Sequence, residues 1–207
     1  YKLFSQIDIC LSSSKSSYKF LKKLNVKKIK YIGNVKFSNN KQDKIIFNDK
    51  FIVNQFRNKK IFCAASTHPG EDIICAKVHK FLKKKYEDLI TIIIPRHINR
   101  ADRIKNEISK IGLNVTTYTS NKKINEDTDI YLVDTYGESK KFYKISNIVF
   151  LGGSLIKHGG QNPIEPARLG CNIIHGPNID NFKDVYKLLG NIRISYRVKN
   201  QNELIKL

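Results

Sequence analysis

The sequence of 207 residues predicts an α/β fold built on a doubly wound parallel β-sheet. Short runs of β-branched and other apolar residues alternate with segments whose apolar residues recur at helical spacing. This alternation is typical of parallel strands joined by crossover helices. Glycine-rich or polar turns follow several of the predicted strands, and such sheets bind their ligands at the edge where the strands end.

The clearest alternation runs from residue 61 onwards. Its predicted strands are residues 61–66, 89–95, 115–118, 130–134, 148–151 and 172–175. Its predicted helices are residues 71–86, residues 101–111, the segments that begin after Gly137 and after Asn162, and residues 181–189. The residues that share one side of the first helix, and that we expect to be buried, are Ile74, Val78, Phe81 and Leu82.

Residues 1–37 are predicted to form a separate piece. Its expected elements are a strand at 7–11, a helix near 18–24 and a strand at 30–32. A polar, charged stretch follows, and residues 38–60 are predicted to form a linker and the start of the second domain.

The two ends of the chain suggest a fragment. The first residue is Tyr1, and a helix predicted from about Asn200 continues to the last residue. We therefore expect residues 1–37 to be the end of a truncated N-terminal domain. Residues 61–207 are expected to form a C-terminal domain that is itself truncated at its end.

The formal net charge of +20 favours phosphate-bearing partners such as nucleotides, nucleic acids or an anionic membrane. Lysines are nevertheless spread along the whole chain, which a biased genome composition would also produce. Charge alone therefore identifies no partner.

Other features argue against several classes of protein. The four cysteines are scattered and form no Cys-x-x-Cys pair, so we expect neither a metal site nor a disulfide framework. No apolar run approaches the roughly 18 residues that span a bilayer. No dinucleotide-binding, P-loop or Gly-x-Ser-x-Gly motif follows a predicted strand.

The most informative motif runs from Gly152 to Ala167, directly after a predicted strand. Its two Gly-Gly pairs, of which the second is Gly159-Gly160, permit close approach of the backbone to a ligand. Asn162 and Pro163 are suited to start a helix, and a helix N-terminus can bind an anion. Glu165 could close a capping box, which would explain its position without any ligand.

The turn that follows strand 89–95 contains Pro95-Arg96-His97. A guanidinium held at this edge of the sheet can bind a nucleotide phosphate through two parallel hydrogen bonds. Taken alone, Arg96 would be interpreted as a surface arginine.

The turn after the first predicted strand contains Ser66-Thr67-His68, followed by Glu71 and Asp72. Ser66 or Thr67 could cap the next helix, and the two acids could interact with its dipole. His68 is left without such an explanation, and it is a candidate ligand-binding residue.

A fourth turn, Asp134-Thr135-Tyr136-Gly137-Glu138, follows the strand predicted at 130–134. Gly137 would let its amide contact a base or a phosphate. Four such turns on one edge make a sugar nucleotide a natural ligand.

At these residues the sequence resembles the transferases of 3-deoxy-D-manno-octulosonic acid (Kdo). The motifs that carry the resemblance are, in chain order, Gly33-Asn34-Val35-Lys36-Phe37, Ser66-Thr67-His68-Pro69-Gly70-Glu71, Pro95-Arg96-His97, the turn from Asp134 to Glu138, and Gly159-Gly160-Gln161-Asn162-Pro163-Ile164-Glu165-Pro166-Ala167. The resemblance implies a GT-B glycosyltransferase with two Rossmann-like domains. It also implies inverting, metal-independent transfer of Kdo from CMP-Kdo to a lipid A precursor (lipid IVA), without a cofactor, in lipopolysaccharide biosynthesis.

The resemblance further implies roles for individual residues. Those implied to contact the CMP part of the donor are Pro95, Arg96, Tyr136, Gly137, Glu138, Gly159, Gly160, Asn162, Pro163, Ile164 and Glu165. Those implied to line the sugar side are Ser66, Thr67 and His68. Arg96 is the expected stabiliser of the departing CMP, and the expected location is the cytoplasmic face of the bacterial inner membrane.

The sequence also departs from the family. Gln161 stands where the family usually has histidine, and it can hydrogen-bond but cannot become a cation. The family's general base, a glutamate in a glycine-rich N-terminal motif, would lie upstream of Tyr1. We therefore expect this chain to bind a nucleotide sugar but not to transfer it.

Two other functions stay open at this stage. A glycine-rich turn before a helix that carries a glutamate is also common in GT-B transferases and epimerases that use UDP-sugars. The net charge would suit a nucleic-acid-binding domain, although we find no RNA- or DNA-binding motif and expect no nucleic-acid partner.

Overall fold

The computed structural model describes residues 4–33, 50–120 and 123–207. The chain divides into two compact units, residues 1–46 and 47–207. The motif that begins at Gly33 lies outside the described residues from Asn34 onwards, as does the predicted linker up to residue 49.

The first unit has a short parallel pair of strands. Its elements are β1 (Cys10–Ser12), α1 (Lys15–Lys23) and β2 (Ile29–Tyr31). Helix α1 begins where the Ser14 hydroxyl accepts a hydrogen bond from the Ser17 amide. A 3₁₀ turn at Phe4–Gln6 comes before β1, and the strand starts later than the prediction at residue 7.

The second unit contains a parallel sheet of seven strands, which confirms the predicted fold class. The strands are β3 (Lys60–Thr67), β4 (Leu89–Pro95), β5 (Val115–Thr117), β6 (Ile130–Leu132), β7 (Ile148–Leu151), β8 (Asn172–His175) and β9 (Ser195–Arg197). Their order across the sheet is β5-β6-β4-β3-β7-β8-β9. Strands β4, β5 and β6 lie on one side of β3, whereas β7, β8 and β9 lie on its other side. The order in which strands are added therefore reverses beside β3, which is the switch point of the sheet.

Seven α-helices precede, connect or follow these strands in the described part of the second unit. They are α2 (Lys50–Gln55), α3 (Glu71–Leu82), α4 (Ala101–Lys110), α5 (Ser139–Lys144), α6 (Ile164–Arg168), α7 (Lys183–Asn191) and α8 (Gln201–Lys206). Within the described part of the chain, no helix is long and apolar enough to cross a membrane.

Alternate residues of each central strand face two separate cores. In β3, Cys63 and Ala65 pack in one core, whereas Phe62 and Ala64 pack in the other. Strand β4 is buried along its whole length, as expected for a strand covered on both faces. This double burial explains why the strands appear in the sequence as continuous apolar runs.

The predicted first helix is wrong in its end and in part of its buried face. Helix α3 ends at Leu82 rather than residue 86, and Phe81 is 56% exposed. Its buried face is formed instead by Cys75, Val78 and His79 among others. The His79 ring contacts the Thr91 hydroxyl and the Asp129 carboxylate, so a polar contact was hidden within the helical pattern.

Helix α2 and strand β9 were not predicted. Helix α2 packs in the core of the second unit through Ile52, which is 1% exposed, and Phe56 follows it into the same core. It has one buried residue in six, which is too few for a recognisable period.

We expect Ile52→Ala to lower the free energy of unfolding by about 2–4 kcal/mol, because it leaves a cavity in the core. The matched control is Val53→Ala on the same helix, where the side chain is 39% exposed and the expected loss is about 0.5 kcal/mol. Urea unfolding of the chain measures both. Equal losses would show that α2 does not contribute to the core.

Candidate functional site

The four turns identified in the sequence lie on one edge of the sheet. They follow β6, β4, β3 and β7, which are consecutive neighbours in the strand order. Because all these strands are parallel, their carboxyl ends meet at the same edge. The predicted convergence of the turns is therefore confirmed, and it lies beside the switch point next to β3.

The Glu71 carboxylate holds the turns after β3 and β7 together. It is completely buried at the start of α3. Its Oε2 atom accepts hydrogen bonds from the amides of His68, at 3.0 Å, and Gly153, at 2.6 Å. Its Oε1 atom accepts from the amides of Ser154, at 3.1 Å, and Leu155, at 3.0 Å. Four donors thus stabilise one buried negative charge.

This arrangement changes two of the expectations from the sequence. Glu71 is not simply a partner for the dipole of α3, because it also binds the turn after β7. The amides of residues 153–155 donate to Glu71, so they are not available to cradle a phosphate of a ligand. The first Gly-Gly pair is therefore structural.

Gly152 is required by the close approach of the two turns. A Cβ atom at this position would lie 2.6 Å from Thr67 Cα and 2.8 Å from Glu71 Oε2. The facing turn is itself irregular, because Ser66 lies at a bulge in the β3–β4 pairing with φ of +54°. A non-glycine residue in this region is uncommon and is held there by its surroundings.

Thr67, Asp72 and Arg100 form a buried polar network beneath the turn. The Thr67 hydroxyl donates to Asp72 Oδ1 at 2.5 Å, and the Arg100 guanidinium pairs with Asp72 Oδ2. Arg100 also donates to the Thr67 carbonyl at 3.2 Å. Burial raises the pKa of the Asp72 carboxyl, whereas the hydrogen bond from Thr67 and the charge of Arg100 oppose that shift. Neither Ser66 nor Thr67 caps α3, whose N-cap residue is Gly70.

Arg96 follows directly after β4. Its amide donates to the Thr67 carbonyl at 3.0 Å, and Pro95 pairs with Thr67 in the sheet. The backbone of the turn is therefore fixed, while the Arg96 side chain is exposed. Among the described residues the Arg96 guanidinium has no ion-pair partner, so it is free to meet an anion.

His68 lies at the centre of a group of rings. It is 5% exposed, and its ring centroid is 4.0 Å from that of His158 and 6.1 Å from that of His97. The Gln161 amide nitrogen lies 3.1 Å from His68 Nε2. Since an amide nitrogen can only donate, Nε2 accepts and the ring proton of neutral His68 sits on Nδ1.

The surroundings of His68 disfavour its charged form. Burial lowers the pKa of the His68 imidazole from its usual 6.5, and repulsion from His158, His97, Arg100 and Arg96 lowers it as well, so that the pKa is about 4. His68 is therefore neutral near pH 7.

The turn after β6 is tied to the segment that follows β5. The Asp134 carboxylate accepts hydrogen bonds from the amide and hydroxyl of Thr119. Glu138 accepts from the Tyr118 hydroxyl at 3.1 Å and pairs with Lys141 at 2.5 Å. Between these anchors, Tyr136 is 60% exposed and Gly137 has φ of +87°. These two residues are the part of the turn that is open to a ligand.

The second Gly-Gly pair continues the turn after β7. The Gly160 amide donates to the Gly153 carbonyl at 2.8 Å, and both Gly159 and Gly160 have positive φ. The Asn162 side chain accepts from the Ile164 amide at 3.1 Å.

The predicted cap of the following helix is shifted by one residue. Helix α6 begins at Ile164, with Pro163 rather than Asn162 as its N-cap residue. The Glu165 carboxylate lies 3.6 Å from Lys140 Nζ. This ion pair replaces the predicted capping box, because Glu165 follows the cap by two residues instead of three.

Sequence reasoning missed several residues of this site. Glu71 and Arg100 bind partners that are distant in sequence, up to 84 residues for Glu71. The sequence does show two acids at the start of α3, but an interaction with the helix dipole was a sufficient explanation for them. In the part of the chain that the structure describes, no group of three or more His, Cys, Asp and Glu side chains is arranged to hold a metal ion.

We expect Glu71→Gln to lower the free energy of unfolding by about 3 kcal/mol, because the variant removes the charge and presents an amide donor to backbone donors. Urea unfolding at pH 7 measures the change. Glu87→Gln, at an exposed position, is the matched control and is expected to change stability little. A Glu71→Gln variant as stable as this control would show that the hydrogen bonds of the Glu71 carboxylate do not stabilise the fold.

The lowered pKa of His68 predicts a loss of stability in acid. Below pH 6.5 the unfolded chain protonates this histidine while the folded chain does not, so the unfolded state is favoured as the pH falls towards about 4. We expect the wild type to lose more stability between pH 7 and 4.5 than His68→Gln. Unfolding at several pH values measures this difference, and parallel curves would contradict it.

Two curated relatives are 3-deoxy-D-manno-octulosonic acid transferases. The protein of Haemophilus influenzae is 36% identical over 163 residues, which are 78% of this chain and 38% of the relative. The protein of Rickettsia bellii is 30% identical over 203 residues, which are 97% of this chain and 47% of the relative. The chain thus spans less than half the length of these relatives. No family profile matches it.

Among solved structures, the chain is similar to the C-terminal CMP-Kdo binding domain of WaaA from Acinetobacter baumannii. The TM-score is 0.71 with 24% identity, covering 75% of this chain and 82% of that domain. At this level of identity the likeness shows the fold. The sequence similarity confirms the predicted resemblance, and the structural likeness confirms the GT-B fold class: this chain is similar to the Kdo transferases over most of its length.

Proposed function

We propose that this chain supplies the donor-binding site of a Kdo transferase, which moves Kdo from CMP-Kdo to a lipid A precursor in lipopolysaccharide biosynthesis. The similarity to curated Kdo transferases supports the choice of donor. The observation that carries the proposal is Arg96, a free guanidinium held by a fixed backbone at the carboxyl edge of β4, beside the switch point of the sheet.

In this proposal the nucleotide is bound by the parts of the turns that are open to a ligand. Arg96 meets the phosphate, because it is exposed and unpaired among the described residues. The turn at Tyr136 and Gly137 contacts the base or ribose, because it is the open part of its loop. The first turn, with Ser66 and His68, faces the sugar.

In this proposal Arg96 also stabilises the departing CMP. Negative charge grows on the phosphate as the bond to the sugar breaks, and a fixed cation near it lowers the energy of that state. The proposal gives no residue of this chain the role of general base. We expect no cofactor or metal, as the family resemblance implies.

The acceptor and the location belong to the same proposal. A lipid A precursor presents its sugars at a membrane surface, so the enzyme would act at the cytoplasmic face of the inner membrane. The net charge of +20 supports attraction to anionic lipid.

Calorimetric titration of the chain with CMP and UDP tests the proposal. We expect CMP to bind more tightly than UDP, and Arg96→Ala to weaken CMP binding by about 1.5–3 kcal/mol, the value of hydrogen bonds to charged groups. The melting temperature is expected to stay nearly unchanged, because the Arg96 side chain is exposed.

Arg57→Ala is the matched control for charge. Arg57 is also exposed, but it precedes β3 and so lies at the opposite edge of the sheet. It is expected to leave CMP binding unchanged. Tighter binding of UDP would instead favour a transferase or epimerase that uses a UDP-sugar, and salt-sensitive binding of oligonucleotides that CMP does not affect would favour a nucleic-acid-binding role.

A further inference from the structure

A cleft of about 410 Å³ lies between the turn after β7 and the turn after β8. Its lining residues are Lys157, His158, Gly159, Asn178, Asp180 and Asn181. The sequence motifs gave no role to Lys157 or to the three residues of the turn after β8. The chemistry of the cleft follows from how these side chains are held.

Backbone carbonyls hold the side-chain amides of the two asparagines that line the cleft. Asn178 donates its side-chain nitrogen to the Ser154 carbonyl at 3.1 Å, and Asn181 donates its own to the His158 carbonyl at 3.3 Å. Because both nitrogens are engaged, the remaining polar atom of each amide is an acceptor. Among the described residues neither Oδ1 atom has a hydrogen-bond partner.

The position of Asn181 is fixed by the glycine opposite it. The Asn181 amide donates to the Gly159 carbonyl at 3.0 Å. A Cβ atom on Gly159 would lie 2.8 Å from Asn181 Cγ, and Gly159 has φ of +96°. Glycine is therefore needed at 159 for the asparagine to lie against the backbone.

The cleft also has one charge of each sign. Lys157 and Asp180 are exposed, and neither forms an ion pair within the described residues. Lys157 can pair with an anion, whereas Asp180 can only accept hydrogen bonds. The two side chains can therefore bind different groups of one ligand, with an anionic group at Lys157 and a hydroxyl group at Asp180.

The cleft is adjacent to the predicted sugar side of the site. His158 lines it, and the ring of His158 packs on that of His68. A donor bound through its phosphate near Arg96 could thus extend past His68 into the cleft.

We propose that this cleft binds the sugar of the donor, and that it selects a sugar acid that carries several hydroxyl groups. Lys157 pairs with the sugar carboxylate, and Asn178, Asn181 and Asp180 accept hydrogen bonds from the hydroxyls. One cation beside three acceptors matches that chemistry, whereas a neutral sugar would leave Lys157 unused. The inference rests on the proposed function, since it takes the site to bind a sugar nucleotide.

The test compares CMP with CMP-Kdo by calorimetry on the 207-residue chain. We expect Lys157→Gln to weaken CMP-Kdo binding roughly tenfold or more, as for loss of a charged hydrogen bond, and to change CMP binding less than about twofold. Asp180→Asn should weaken CMP-Kdo binding by a smaller factor, again without affecting CMP.

Lys187→Gln and Asp184→Asn are the matched controls, because both positions are exposed on α7 and carry the same charges. If Lys157→Gln binds CMP-Kdo as these controls do, the cleft does not hold the sugar. If CMP and CMP-Kdo are weakened equally, the cleft binds the nucleotide and the inference is wrong. If the wild type does not bind CMP, the proposed function itself fails, and the sugar site fails with it.

Discussion

The site depends on the bond that the Glu71 carboxylate forms with backbone amides on two turns. Burying a carboxylate costs free energy unless its oxygen atoms accept hydrogen bonds. The Glu71 carboxylate accepts four, from backbone amides of the turns after β3 and β7. In return, the carboxylate fixes two turns that emerge from neighbouring strands. This contact requires glycine at position 152, because any side chain there would push the two turns apart.

This use of the amides limits how the site can bind an anion. In many α/β folds, backbone amides at the switch point bind the ligand phosphate. Here the amides of residues 153–155 are already satisfied by a carboxylate, and a second anion beside Glu71 would be repelled. The positive charge must then come from side chains at the rim. Arg96 is suited to that part because Arg100, its neighbour in the turn, is committed to Asp72.

The sequence predicted the sheet well but did not predict the hydrogen bonds between Glu71 and the turn after β7, and both results have one physical reason. Burial on both faces makes β4 and β7 continuous apolar runs, which can be recognised locally. The same parallel order placed four turns on one edge without any tertiary information. By contrast, α2 buries one residue and the edge strand β9 buries none, so neither has a local signal. The role of Glu71 is set by partners more than 80 residues away, which no local pattern encodes.

The ring of His68 stays neutral although the site around it is basic. Burial is the main cause that opposes its protonation, and two histidines and two arginines nearby oppose it further. A ring in that position can donate through Nδ1 at neutral pH, provided that something holds its tautomer. Gln161 does so through an uncharged amide. A histidine at 161 could hold the ring in the same way only in its neutral form, since its protonated form would add a cation to the group. Glutamine does not titrate, so it donates this hydrogen bond for as long as His68 itself stays neutral.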